Sequence, residues 1–250
     1  MCEVEGPVKG LQTVHRAVRL LKCFTVIESE LSLTELTQKL ELPKSTTARL
    51  IDTLIDVGML ERNESNFKYK LGHSAYVLGR VAEVSNDVVQ LATPRMKQLR
   101  DRTNESVALF KLDGEKRVCI QRFVSLEVVT HNVSIGSRFD LSIGATGKSL
   151  LAFQADEFIE QVLQNVPDQA KLRTELVNIR ATNKALSMDE RGAGVNAISS
   201  AIFSMSGNVK YSISLTGPSM RFTEEKMKRW QEYLLEEANK LSQELGYVMH

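Results

Sequence analysis

The first seventy residues alternate apolar stripes and polar turns in the order of a small three-helix domain. Ser32, with Glu35 three residues later, forms a capping box that predicts the start of a second helix ending near Leu40. A third helix opens at Lys44, after a turn short enough for a helix-turn-helix. An apolar stripe at helical spacing predicts a first helix with one buried face. Its members are Val14, Ala17, Val18, Leu21 and Phe24.

The third helix separates into an apolar and a polar face when its residues are placed 100° apart. Ser45, Thr46 and Arg49, preceded by Lys44, project together from its first turns, where a recognition helix meets base edges in the major groove. On a lone amphipathic helix such residues are typically a solvated face. The DNA-binding interpretation therefore depends on the neighbouring elements. The inward positions are Thr47, Leu50, Ile51, Leu54 and Ile55.

A short hairpin follows the third helix and completes a winged helix-turn-helix. Gly58 is suited to a left-handed helix end, and residues 59–62 and 67–71 pair as two strands. Lys68 and Lys70 share one face of the second strand and are expected to contact phosphates. Residues 1–72 hold ten Lys or Arg and ten Asp or Glu, so DNA affinity must come from a local patch.

The remainder of the chain predicts an α+β domain with a mainly antiparallel sheet. A linker helix covers 73–87, and a helix over 88–103 is interrupted or redirected at Pro94. Thr223 caps a final helix whose apolar stripe packs on the sheet. Helices are expected between 148 and 187. The expected strands are 106–112, 117–124, 128–133, 140–143, 197–205 and 209–216.

Composition restricts the remaining function classes. The 250 residues, 42% of them hydrophobic, are enough for two domains. The chain has no apolar run long enough for a bilayer and an acidic start unlike a signal peptide, so a soluble cytoplasmic protein is expected. Three distant cysteines and four scattered histidines give no disulfide framework, metal site or catalytic set. We therefore expect neither a cofactor nor an enzyme.

Four separate motifs resemble the IclR family of bacterial transcription regulators. They are residues 42–50 (LPKSTTARL), 144–152 (GATGKSLLA), 194–198 (GVNAI) and 212–219 (SISLTGPS). The resemblance implies a winged helix-turn-helix over 1–72, a linker helix over 73–87 and a GAF-like effector-binding domain over 88–250. It also implies a homodimer or a dimer of dimers on operator DNA, acting as a repressor of catabolic genes. Whether a regulator represses or activates depends on operator position, which the sequence does not contain.

The resemblance places an effector pocket where a helix begins after Gly144. Free N–H groups at a helix start favour an anion, and a small organic acid or sugar acid is the ligand that the family implies. Ser187 occupies a position where relatives can carry an acid, and Ala197 one where some carry cysteine, so the ligand should differ from small 2-oxo acids. Ser214 and Thr216 share one strand face, which faces either the pocket or solvent. The expected pocket residues are Ala145, Thr146, Val195, Ala197, Ser214 and Thr216.

A rival interpretation comes from residues 142–149 (SIGATGKS), which nearly spell a phosphate-binding P-loop. Ser142 stands where the first glycine is required, and the chain lacks the succession of strand and helix units of a parallel nucleotide-binding sheet. A nucleotide-hydrolysing enzyme using Lys148 is therefore the alternative. In the regulator interpretation, Lys148 faces solvent or a neighbouring acid.

Overall fold

The computed structural model describes residues 10–25, 28–84, 87–131, 133–192 and 194–248, with the side chains of 82–84 and 87 left aside. The chain divides into two compact units, Met1–Asn86 and Asp87–His250. Each unit has its own hydrophobic core.

The first unit is a winged helix-turn-helix. The Ser32 capping box is present, with the Ser32 N–H donating to Glu35 Oε2 at 2.7 Å. Gly58 has a φ of 69°, as expected for the end of the third helix. Its elements are α1 (Gln12–Leu21), α2 (Leu33–Leu40), α3 (Lys44–Asp56), β1 (Leu60–Arg62), β2 (Tyr69–Leu71) and α4 (His73–Val84).

The buried face of α1 differs from the predicted one. Val14 and Val18 are 57% and 44% exposed, whereas Leu20 is fully buried. The helix packs by its C-terminal end, where Leu20 joins the residues that follow α1 in the core, so the first turns extend beyond the packed region. The wing is also shorter than predicted, because Phe67 adopts a left-handed φ of 57° and pairing begins only at Tyr69.

The second unit is a six-stranded antiparallel sheet of order β5-β4-β3-β8-β7-β6 with helices on both faces. Helices α5 and α9 cover one face, and α6, α7 and α8 cover the other. The predicted α+β class is therefore confirmed. The elements are α5 (Asp87–Thr103), β3 (Ser106–Asp113), β4 (Lys116–Phe123), β5 (Arg138–Asp140), α6 (Ala145–Leu151), α7 (Asp156–Leu163), α8 (Gln169–Thr182), β6 (Ala185–Met188), β7 (Val195–Phe203), β8 (Val209–Pro218) and α9 (Glu224–Glu244).

Several predicted boundaries in this unit are wrong. Helix α5 runs through Pro94 as one helix. The described residues of 128–133 form a loop rather than the predicted strand, with Val128 99% exposed; Asn132 lies outside the described residues. The short strand expected at 140–143 lies at Arg138–Asp140, and the helical block ends in β6, which pairs with β7.

Within the described residues, no helix is long and apolar enough to cross a membrane.

Candidate functional site

The first turns of α3 present the polar residues that the sequence assigns to DNA. Lys44, Ser45 and Arg49 are exposed, and Thr46 is half-buried. Thr47 is fully buried and its hydroxyl donates to the Pro43 carbonyl at 3.3 Å, which fixes the start of the helix. The structure therefore brings the four predicted residues onto one accessible end of the helix.

The side chains of the two wing lysines are accessible but already face carboxylates. Lys68 Nζ lies 3.6 Å from Glu35 Oε2, and Lys70 Nζ lies 3.4 Å from Glu61 Oε2. All four side chains are between 39% and 47% exposed. Exposed ion pairs contribute at most about 1 kcal/mol, so a phosphate can replace either carboxylate at little cost. Both lysines are therefore available to a DNA backbone.

In the second unit, a cavity opens between the sheet and the start of α6. Its empty space, including the open mouth, is ≈ 570 Å³. The predicted residues that line it are Ala145, Thr146, Val195, Ala197 and Thr216. Ser187, whose position the family resemblance had singled out, lines it as well. The cavity also contains three arginines that the sequence did not suggest, Arg117, Arg122 and Arg191, and the imidazole of His131.

Ser214 is the predicted pocket residue that does not line this cavity. It is 1% exposed, and its hydroxyl donates to the Ala108 carbonyl at 3.3 Å. Two residues earlier on the same strand face, Ser212 hydrogen-bonds Ser149 in α6 at 3.2 Å. Helix α6 thus contacts this face of β8 at Ser212, and of the three residues on the face only Thr216 lines the cavity. Of the two residues whose hydroxyls were expected in the pocket, Thr216 lines the cavity and Ser214 does not.

Arg117 is buried beneath the loop that leads into α6. Its side chain is 1% exposed, and its Nη1 donates to the Ile143 carbonyl at 2.8 Å and to the Asp140 carbonyl. Its Nε is buried and has no hydrogen-bond partner among the described residues. Burial, and then the charge of Arg191, lowers the pKa of Arg117 to about 9. The guanidinium is therefore a charged group with unused hydrogen-bonding capacity.

A β-bulge places Arg122 on the same sheet face as Arg117. The register between β3 and β4 shifts at one point, and Ile120 is the extra residue. Because strand side chains alternate, residues five apart would otherwise point to opposite faces. With the bulge, Arg117 lies opposite Leu112 and Arg122 opposite Ala108, both on the cavity side. Since the shift depends on cross-strand pairing, no local motif in β4 could have revealed it.

Arg191 approaches Arg117 from the loop after β6. Its guanidinium lies 3.9 Å from the Phe139 ring centroid. A Cβ added to Gly144 would lie 3.0 Å from Arg191 Cδ and 3.4 Å from Arg117 Nη2, so both arginines converge there. Burial lowers the pKa of Arg191. Nearby, burial and then Arg191 lower the pKa of His131, whose buried Nε2 has no partner in the described part of the chain.

Lys148, the residue central to the P-loop alternative, is buried and pairs with two partly exposed carboxylates. It is 2% exposed, and its Nζ lies 2.8 Å from Glu175 Oε2 and 2.5 Å from Glu190 Oε1. Glu190 Oε2 also accepts the Gly144 N–H at 3.0 Å. Of the two outcomes expected for Lys148, the acidic neighbour is the correct one. Because the sheet is antiparallel and the lysine is neutralised, this loop lacks the setting of a nucleotide phosphate site.

A winged helix-turn-helix joined to an antiparallel domain with a cation-lined cavity defines a DNA-binding transcription regulator. The chain belongs to the IclR family. Residues 13–64 match the IclR helix-turn-helix domain, and residues 81–243 match the C-terminal domain of the bacterial transcriptional regulator IclR. The family consists of transcription regulators rather than enzymes, and no comparison supports the nucleotide-hydrolysing alternative.

Individual relatives match almost the whole chain. The HTH-type transcriptional repressor AllR of Escherichia coli K12 is 27% identical over 252 residues, covering 97% of this chain and 93% of AllR. The crystal structure of an IclR regulator from Alicyclobacillus acidocaldarius has a TM-score of 0.86 and 25% identity, covering 95% and 100% of the two chains. An IclR homologue from Microbacterium hydrocarbonoxydans, complexed with 4-hydroxybenzoate, has a TM-score of 0.79 and 24% identity, covering 94% and 99%.

Proposed function

We propose that this regulator is an effector-responsive repressor of catabolic genes, working in the cytoplasm as a homodimer or homotetramer. In this proposal, α3 reads an operator through Lys44, Ser45, Thr46 and Arg49 while the wing lysines contact phosphates. A small organic acid or sugar acid in the cavity changes operator affinity. AllR, a relative of similar length, is named a repressor, which supports the direction of control.

The observation that carries the ligand assignment is the unpartnered Nε of the buried Arg117. A buried charge lacking part of its hydrogen bonding is costly, and an anion supplying that bond recovers the cost. Among the described residues that line the cavity there is no Asp or Glu, whereas three arginines are present. An enclosed site with apolar walls and a few convergent cations suits a small anion.

The link between the cavity and DNA follows from the geometry of dimeric regulators. Two recognition helices reach successive major-groove faces when half-sites lie about 34 Å, or one helical turn, apart. A ligand shifts this arrangement only through its different affinity for the two states, typically a coupling of about 1 to 3 kcal/mol. Helix α4, which lies between the DNA-binding motif and the second unit in sequence, is the segment through which we expect the change to pass.

Selection of genomic fragments by the purified full-length protein tests this proposal. We expect enrichment of a pseudo-palindromic sequence that competes better than random duplex at moderate salt. Small carboxylates suggested by the genes beside that sequence are then screened for release of the protein. A protein that prefers no duplex over random competitor, even at low ionic strength and with metabolites present, would contradict the regulator proposal.

A further inference from the structure

Three side chains that line the cavity have hydrogen-bonding groups that no described residue engages. They are the Nε of Arg117, the guanidinium of Arg191, whose contact is the Phe139 ring, and the Nε2 of His131. The charge of Arg191 acts on both Arg117 and His131, so the three groups are neighbours. Buried polar groups are normally hydrogen-bonded, and a ligand that supplies the missing bonds would be stabilised here.

The two arginines provide a position for one acid group. Arg117 and Arg191 converge at Gly144. The two acids that act electrostatically on Arg117 are Asp140 and Glu190, and each is already paired with a lysine. Two guanidinium groups without a dedicated carboxylate can form charge-assisted hydrogen bonds to a carboxylate of the ligand.

His131 offers different chemistry, because its imidazole is uncharged at neutral pH. Burial, and then the charge of Arg191, lower the pKa of His131 below its ordinary value. A neutral imidazole nitrogen either donates or accepts one hydrogen bond, and a hydroxyl can do both. The buried Nε2 therefore suits a hydroxyl in either tautomer, whereas a keto oxygen can only accept a hydrogen bond from it.

The sheet adds two hydroxyls to the same cavity. Ser187 pairs with Ala197, and Ala197 pairs with Thr216, so the three residues form one row across β6, β7 and β8. All three line the cavity, and neither hydroxyl has a hydrogen-bond partner among the described residues. At about 4.8 Å between neighbouring strands, the backbones of Ser187 and Thr216 are roughly 10 Å apart. The small side chain of Ala197 leaves room for a ligand between them.

We propose that the effector is a hydroxy acid, whose carboxylate binds Arg117 and Arg191 and whose hydroxyl forms a hydrogen bond with His131. The hydroxyls of Ser187 and Thr216 extend the preference for polar oxygen atoms along the sheet wall. An unsubstituted acid would leave the buried Nε2 of His131 without a partner. This inference rests on the proposed function and narrows the ligand class of the same site.

Isothermal titration calorimetry on the full-length protein tests the need for a hydroxyl. The probe pairs, compared at equal ionic strength, are lactate with propionate, 3-hydroxybutyrate with butyrate, mandelate with phenylacetate, and gluconate with hexanoate. We expect at least one hydroxy acid to bind about tenfold or more tightly than its unsubstituted partner, since a site that hydrogen-bonds a hydroxyl discriminates against its absence. A smaller advantage in every pair overturns the inference.

Substitutions of His131 then locate the hydroxyl. His131→Leu should lower the affinity for the favoured hydroxy acid about tenfold and leave its unsubstituted partner within about twofold. His131→Gln, which keeps a hydrogen-bonding group on a side chain of similar reach, should retain most of the preference. The unchanged affinity for the unsubstituted acid reports that the leucine variant is folded. Equal losses for the two acids in His131→Leu would place His131 at the carboxylate and overturn the assignment.

Arg191→Gln tests the position of the acid group. It should weaken the hydroxy acid and its unsubstituted partner by the same factor, because both have the carboxylate. Arg173→Gln, which removes an exposed partner of Glu160 outside the cavity lining, is the control and should change neither. If Arg191→Gln leaves both affinities unchanged, the carboxylate binds elsewhere and the assignment is overturned.

These results are separable from a failure of the proposed function. Release of operator by an unsubstituted acid, without any advantage for hydroxy acids, overturns this inference and leaves the regulator proposal intact. Absence of binding by every acid overturns this inference and the organic-acid assignment. Loss of duplex preference contradicts the regulator proposal, while calorimetry still decides whether the cavity selects a hydroxyl.

Discussion

The two units carry their functional cations in opposite ways. In the first unit, Arg49 and Lys70 are exposed and Lys68 is half-buried, and all three extend from a domain whose core does not involve them. In the second, Arg117 is 1% exposed and supports the loop before α6 while also lining the cavity. Removing an exposed cation should therefore change binding and leave the fold intact. Altering the surroundings of the buried Arg117 should change both effector binding and the stability of the fold.

The largest effect is expected from Gly147→Ala in α6. A Cβ at this position would lie 2.9 Å from the Asp140 carbonyl oxygen and still closer to Arg117 Nη1 and the Leu141 carbonyl oxygen. Alanine normally stabilises a helix interior by up to about 1 kcal/mol relative to glycine. Overpacking against backbone and a buried guanidinium should reverse the sign, with a loss of about 3 kcal/mol in the free energy of unfolding. Urea denaturation measures this.

Gly79→Ala in α4 is the matched control for that substitution. Apart from the helix's own backbone, a Cβ there meets no atom of the described residues within 4 Å, so the variant should be as stable as the parent or slightly more stable. The comparison would be contradicted if the two variants showed the same stability. It would also be contradicted if Gly147→Ala left both stability and effector binding unchanged.

The sequence predicts the first unit better than the cavity for a physical reason. Helix periodicity, the capping box at Ser32 and the turn at Gly58 are local signals, and the face of α3 that carries Arg49 follows from them. The cavity is assembled from distant segments. Arg122 reaches it through a bulge set by the register between two strands, and Arg191 through a loop that packs on Phe139. Neither the bulge nor the packing of this loop can be predicted from the residues next to it in sequence.

Most of the second unit's fold was also predictable, apart from its less regular edges. The long hairpin of β7 and β8 and the stripe of α9 have clear periods, and both form as expected. The described residues of 128–133 do not form the predicted strand, because β-branched residues alone do not supply a pairing partner, and Val128 is almost fully exposed. Ser214 was misplaced because periodicity gives the face of a strand but not which part of that face a helix covers.

Arg49→Ala should have the next largest effect, on DNA binding alone. Loss of a guanidinium that pairs with a guanine costs about 1 to 3 kcal/mol of specific binding and relaxes preference at that base. Because Arg49 is exposed, the unfolding free energy should stay within about 0.5 kcal/mol of the parent. Competition binding with operator variants measures the loss, and Arg173→Ala serves as the control. Unchanged operator affinity and sequence preference would remove Arg49 from the recognition surface.

A smaller effect is expected from Thr216→Val in the cavity. The substitution keeps the branched shape and removes one hydroxyl, whose hydrogen bond to an effector should contribute about 1 kcal/mol. The effector concentration for half-release of operator should rise about fivefold. Ser214→Ala, two residues away on the same strand and outside the cavity lining, should leave that concentration unchanged. The assignment of the cavity as the effector site fails if Ser214→Ala has the larger effect.

The smallest effect is expected from Lys68→Ala in the wing. Its ammonium group must leave Glu35, 3.6 Å away, to reach a phosphate, so the net loss should be below about 1 kcal/mol and similar for all duplex sequences. Each phosphate contact contributes about 0.9 to the slope of log affinity against log salt, and that slope should fall by about this amount. Lys228→Ala, which removes an exposed pair with Glu224 in the second unit, should leave the slope unchanged. If Lys68→Ala instead alters preference among operator sequences, the wing contacts bases, and the sequence-reading surface of the first unit extends beyond α3.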